Sequence, residues 1–136
     1  MAEIALKLEP VTWNDEAQTL LEPTMGKEPT YTVDDLRTEV MRGTSTLLAG
    51  SVNGERVGYV VVFVDPIGVK PEFVIQTGAA LRSDTQALRL FEPLLVSMAR
   101  SKGCGAMRTH LTRKGYRGVY QKMGFYQSEI VMRKGL

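Results

Sequence analysis

The pair Asn53-Gly54, set between two β-rich runs, constrains this chain more than any other local feature. Both residues tolerate the positive φ that a two-residue type I′ turn requires, so Ser45 to Val52 and Arg56 to Asp65 are expected to pair as an antiparallel hairpin. In the second arm Val60 to Val64 is an almost unbroken apolar run, which marks a central strand covered on both faces. Such a strand needs further strands beside it and helices above and below.

The rest of the sequence supplies them. Glu3 to Val11 sets Ile4, Leu6 and Leu8 against Lys7 and Glu9, the alternation of a half-exposed first strand. Thr12 or Asn14 can cap a short helix through Ala17, Leu20 and Leu21 that stops near Pro23 and Gly26. Thr32 and Asp35 suggest a capping box for a second helix, with Leu36, Val40 and Met41 on one face and Gly43 at its end. After a turn at Pro66 to Pro71, Glu72 to Leu81 reads as a strand. From Thr85 to Lys102 the apolar residues Leu88, Phe91, Leu95, Met98 and Ala99 recur at helical spacing, and Gly103 is placed to end the helix. Pro93 should kink that helix or move its start toward Leu90 or Glu92, because proline is comfortable only in a first turn. Ala106 to Leu111 is a short strand, Gly115 to Met123 a short helix closed by Gly124, and Phe125 to Arg133 a final strand. The order is β-α-α-β-β-β-α-β-α-β: an α/β (α+β) fold with a mixed, mostly antiparallel central sheet and about four flanking helices, expected as one domain over residues 1–136.

At 136 residues with 43% apolar content, the chain can bury a core without disulfides or metals. Cys104 has no second cysteine to pair with, and together with the single histidine, His110, it falls short of a zinc ligand set, so an inert thiol and no metal are expected. No stretch approaches 18 apolar residues and the first residues do not resemble a signal peptide, which points to a protein that is cytoplasmic or deposited into an assembly from the cytoplasm. Net charge is only +2, yet residues 1–99 carry 8 Lys/Arg against 14 Asp/Glu, while residues 100–136 carry 9 Lys/Arg against Glu129 alone. The basic third suits a phosphorylated cofactor, a nucleic acid or an acidic protein surface, or folds back on the acidic part of its own domain. Nucleic acid is the least expected partner, since no reading motif is present and aromatics (Tyr116, Tyr120, Phe125, Tyr126) are sparse in the basic stretch.

From the first strand to Lys134 the chain resembles the GNAT acetyltransferase superfamily. The resemblance is carried by the Asn53-Gly54 hairpin followed by Val57-Gly-Tyr59, the strand at 72–81, the helix ending in Lys102-Gly103, and Tyr120-Gln-Lys-Met-Gly-Phe125. It implies a fourth strand and following helix that splay from the fifth strand, with acetyl-CoA in the cleft and its pyrophosphate on a glycine-rich turn opening the helix. There, backbone N–H groups point at the phosphates and glycine permits close approach. It further implies cofactor contacts from Gln76, Thr77 and Gly78 on the strand; beside them, Arg82 or Arg89 could add charge toward the phosphates, and Arg113, clustered with Lys114 and Arg117, could grip the cofactor's 3′-phosphate or a nucleic-acid backbone or form a polar interface rim. Tyr120 matches the family's general acid, a phenol that stays protonated at neutral pH. For the base, Glu72 at the start of the strand and His110 after the next one are the candidates.

The chain departs from the family where Asp84, Gln86 and Leu88 stand at the positions of the loop glycines, and where Arg113 replaces an asparagine. Side chains there would crowd a diphosphate, and an inward carboxylate at Asp84 would repel it. The expectation from these departures is a non-catalytic binding or structural component without a cofactor. In that respect the chain is similar to small GNAT-like bacteriophage proteins, some of them virion components, and its partner would be a protein or a second copy contacting the Phe125 to Arg133 edge. The alternative is an N-acetyltransferase that uses acetyl-CoA on a small primary amine, with Tyr120 as acid.

Overall fold

A computed structural model describes residues 4–25, 31–81, 86–111 and 116–136, with the backbone alone at residue 86. The hairpin forms as its turn chemistry dictates: φ is 52° at Asn53 and 82° at Gly54, and strands β2 (Thr46–Val52) and β3 (Glu55–Asp65) run antiparallel from it. Strand β1 (Leu6–Pro10) pairs with β2, β4 (Glu72–Ala80) pairs with β3, and β5 (Ala106–Thr109) pairs with β4 in parallel. The sheet order is therefore β1-β2-β3-β4-β5, four antiparallel strands with one parallel strand at the end.

Helix boundaries follow local chemistry. Asn14 caps α1 (Asp15–Leu21), its Oδ1 accepting from the Ala17 N–H at 2.9 Å, and at Pro23 the chain tightens into a 3-10 turn, Glu22–Met25. Helix α2 (Val33–Arg42) opens on the expected capping box, with Thr32 Oγ1 accepting from the Asp35 N–H and Asp35 Oδ2 from the Thr32 N–H. Helix α3 (Gln86–Ser101) connects β4 to β5, and α4 (Arg117–Lys122) follows β5. Pro93 does not move the start of α3 toward Leu90 or Glu92: the helix begins at Gln86 and runs on through it. Pro93 and Arg89, whose carbonyl loses a backbone donor, are both exposed, so water can take the vacated bond.

The doubly covered strand predicted from Val60 to Val64 is explained by two cores. On one face Leu47, Ala49, Tyr59 and Val61 pack with Ala17, Leu21, Val33 and Leu36 of α1 and α2. On the other, Leu48, Val62, Phe73 and Ile75 pack with Leu95 and Ala99 of α3. Alternate residues of β2 and β3 therefore serve opposite cores. Cys104 is a free, half-buried thiol packed against the α3 core.

The final strand does not form. Residues 125–136 have no ladder partner among the described residues, and Ile130, Val131 and Met132 are 77%, 56% and 90% exposed. A period-two sequence is insufficient by itself, since a strand needs both an edge to bond and a face to bury. No helix among the described residues is long and apolar enough to cross a membrane.

Candidate active site: the opening between the fourth and fifth strands

Strands β4 and β5 share only four residue pairs, from Glu72↔Ala106 to Ile75↔Thr109. Beyond Ile75, β4 continues to Ala80 with β3 on one side and no strand on the other among the described residues. At the branch point β4 carries a bulge: Val62 pairs with Ile75 and Val61 with Thr77, leaving Gln76 as the extra residue. One inserted residue reverses which face the following side chains serve. Phe73 and Ile75 pack toward α3, whereas Ala79 packs on the α1–α2 core. Thr77 points the same way as Ala79, donating from Oγ1 to Thr24 Oγ1 at 2.6 Å, and Thr24 Oγ1 in turn donates to the Leu21 carbonyl at 2.6 Å. Gln76 Oε1 accepts from the buried Ser45 Oγ at 3.4 Å, so the bulge is tied to the start of β2. Gly78 is exposed.

Tyr120 reaches this branch point from α4. Its phenol lies beside Thr109, whose Oγ1 donates to the Ile75 carbonyl at 2.9 Å, the last paired position of β4. Burial raises the Tyr120 phenol above its ordinary value of 10, the neighbouring Thr109 hydroxyl works against that, and Tyr116 adds to the rise. The spacing from Tyr120 to Phe125 has a backbone cause. Phe125 N–H donates to the Tyr120 carbonyl and Gly124 N–H to the Gln121 carbonyl, with Gly124 at φ 92°. These are the two bonds of a Schellman closure, and its usual side-chain contact is the edge-to-face pair of Tyr120 and Phe125, centroids 5.1 Å apart. The closure holds the ring that carries the phenol.

No protein-family model and no curated protein matches the chain. Solved structures do. An aminoglycoside N-acetyltransferase, AAC(6')-Iy, in complex with CoA superposes with a TM-score of 0.72 at 14% identity, over 98% of this chain and 95% of that one. An acetyltransferase from Trypanosoma brucei gives 0.63 at 18% identity over 97% and 100%, and a transcriptional regulator from Bacillus halodurans gives 0.67 at 12% over 97% and 100%. The chain has a GNAT-like fold. At such identities the likeness establishes architecture, and chemistry has to be argued from the residues.

Within that GNAT-like fold the structure gathers Gln76, Thr77, Gly78 and, through Thr109, Tyr120 at one place. Of the three residues at the loop-glycine positions, Leu88 is half-buried against the α3 core; Asp84 and the side chain of Gln86 lie outside the described residues. Arg82 and Arg113 also lie outside them. His110 is exposed just past the end of β5. Among the described residues no three His, Cys, Asp or Glu side chains are grouped to hold a metal ion.

Glu72 stands at the far end of β4 from the bulge. There Arg108 bridges two carboxylates, donating from Nη1 to Glu72 Oε2 at 2.8 Å and from Nη2 to Asp65 Oδ2 at 3.0 Å, and so ties β3, β4 and β5 together. The Ile67 N–H first, then Arg108, holds the Asp65 carboxyl below its ordinary value of 3.8. A depressed carboxyl stabilises the fold above its unfolded value and loses that contribution as pH falls through the lower folded value. Asp65→Asn is therefore expected to flatten the fall of the urea midpoint below about pH 4. An unchanged fall would show that Asp65 carries none of it.

A carboxylate absent from the middle of β4 is supplied by a neighbouring helix, which sequence reading missed. Glu39 of α2, with Asp35, Thr38 and Arg42 on the same helix face, lines an open depression of about 410 Å³ together with Tyr31 and Gln76. The available signal was the spacing Asp35, Glu39, Arg42, one polar stripe on α2; nothing in the sequence set it against Gln76.

Proposed function

We propose that this protein is an N-acetyltransferase that transfers an acetyl group from acetyl-CoA to a primary amine, using the opening between β4 and β5. The observation that carries the reading is the place of Tyr120 beside Thr109, whose Oγ1 donates to the Ile75 carbonyl at the last paired position of β4, so that a phenol stands where the two strands part. Acetyl-CoA supplies an activated acetyl thioester. The strand edge from Gln76 to Ala80 offers it backbone hydrogen-bonding groups that no other strand among the described residues uses, and Gly78 on it is exposed. The opening thus suits the group at the residues described.

The roles of the side chains follow. Tyr120 holds a proton at its phenolic oxygen, and burial keeps it there at working pH. As the amine nitrogen bonds to the acetyl carbon and the carbon–sulfur bond breaks, that proton goes to the departing sulfur. The amine sheds its own proton to water. Glu72 is engaged with Arg108 and takes no part. The CoA complex of AAC(6')-Iy, a protein of the same fold, supports the reading, as does the packing of Leu88 against the α3 core, which weakens one of three objections to a cofactor.

Calorimetric titration with acetyl-CoA, paired with Tyr120→Phe, tests it. Micromolar binding is expected in both proteins, because phenylalanine keeps the ring contact with Phe125, while kcat of the variant falls about 10²- to 10³-fold. A step that needs the protonated phenol is lost only as pH rises through the raised folded value, so wild-type kcat should show no alkaline fall below about pH 10. Absence of binding at millimolar acetyl-CoA would overturn the proposal and leave a non-catalytic binding or structural role.

A further inference from the structure

The depression between α2 and β4 contains an arrangement that the acetyl-transfer reading does not use. Glu39 and Arg42 stand three residues apart on α2, where side chains are neighbours on one helix face, about 5–6 Å apart at Cβ. Both line the same depression, yet they form no ion pair with each other or with any other described residue. Glu39 is fixed in place without being neutralised. Its Oε2 accepts from Thr44 Oγ1, and its carbonyl accepts from the Thr44 and Ser45 N–H groups that close α2. Arg42 is exposed at the rim.

Ser45 connects this pair to the β4 bulge. The same residue that donates its N–H to the Glu39 carbonyl at 3.2 Å donates its Oγ to Gln76 Oε1, and Gln76 lines the depression. The carboxylate of Glu39, the guanidinium of Arg42 and the amide of Gln76 therefore converge on one open volume, backed by the Tyr31 ring and the fully buried Leu36. Burial raises the Tyr31 phenol, so the wall it makes is uncharged. Opposite charges left unpaired beside each other favour a ligand that carries both, because each then gains a charge-assisted bond without leaving the other desolvated and alone.

We infer that this depression binds an α-amino acid zwitterion, with Glu39 receiving the ammonium group and Arg42 the carboxylate. The assignment of that amine as the acetyl acceptor rests on the transferase reading; the binding site does not. An aromatic or branched side chain would lie against Tyr31.

Three probes of one shape separate the charges: L-phenylalanine, 2-phenylethylamine and 3-phenylpropanoate, each titrated calorimetrically into the full chain. L-Phenylalanine is expected to bind at least about 10-fold more tightly than either single-charge analogue. Glu39→Gln preserves side-chain length and the Thr44 contact, and Arg42→Gln alters an exposed residue, so both should fold as wild type by thermal midpoint. Each should weaken L-phenylalanine about 10-fold, with E39Q sparing 3-phenylpropanoate and R42Q sparing 2-phenylethylamine. Equal affinity for the amine and the zwitterion, wild-type affinity in either variant, or no binding by any probe overturns the inference. Acetyl-CoA titrated into the same samples keeps the two readings apart. Zwitterion discrimination without acetyl-CoA binding upholds this site and defeats acetyl transfer, whereas acetyl-CoA binding without discrimination does the reverse.

Discussion

Phe73→Ala is expected to lower the free energy of unfolding by about 3–5 kcal/mol. Phe73 is the largest fully buried side chain, and it lies on β4 in the core beneath α3, among Leu48, Val62, Ile75, Leu95 and Ala99. Truncation removes the transfer free energy of the ring and leaves a cavity whose walls belong to three strands and a helix, so they cannot collapse together. Stabilities of domains this size run to about 5–15 kcal/mol, and the loss is a large share of that. Thermal unfolding should show a midpoint lowered by roughly 10 °C or more. A fall below about 1 kcal/mol would mean that α3 closes onto the sheet more readily than the packing implies.

Gly58→Val is the second large effect, and it acts through backbone. A Cβ on Gly58 would sit 2.6 Å from the Ala79 carbonyl oxygen and 3.0 Å from the Ala80 Cα. Replacing a strand glycine ordinarily gains about 0.5–1 kcal/mol from reduced chain entropy. Here the neighbour is the adjacent strand, which cannot rotate aside like a side chain, so a cost of about 3 kcal/mol, at the upper end of overpacking, outweighs that gain. Urea denaturation should show it as a lowered midpoint at constant m value. A midpoint at or above wild type would require β4 to shift away from β3 without loss. By contrast, a Cβ on Gly54 or Gly43 meets nothing within 4 Å, and their φ of 82° and 81° is what calls for glycine there.

Local chemistry accounts for most of the element boundaries. The Asn53-Gly54 turn, the Thr32/Asp35 box and the left-handed glycines at 43, 103 and 124 are each written within a few residues of sequence, and each forms as read. Tyr120 was legible through its spacing to Gly124 and Phe125. Its neighbour Thr109 was not, because that contact joins a short helix to a strand end. The bulge at Gln76 was equally hidden. Nothing in Phe73-Val-Ile-Gln-Thr77 announces a change of face, and the extra residue exists only relative to β3. Glu72 illustrates the converse: its type suited a base, but its position along β4 gave it to Arg108.

By itself, then, the sequence determined the hairpin, the caps, the two-sided burial of the central strand and the order of elements through α4. These depend on periodicity and on φ preferences that act over a turn or two. The tertiary structure alone decided where β4 and β5 part, that Leu88 packs against the α3 core, that Glu39 and Arg42 share a depression with Gln76, and that residues 125–136 pair with no strand among the described residues. Each of those is a relation between segments far apart in the chain. Their free energies come from which surfaces meet, and a residue's own neighbours in sequence carry no record of that.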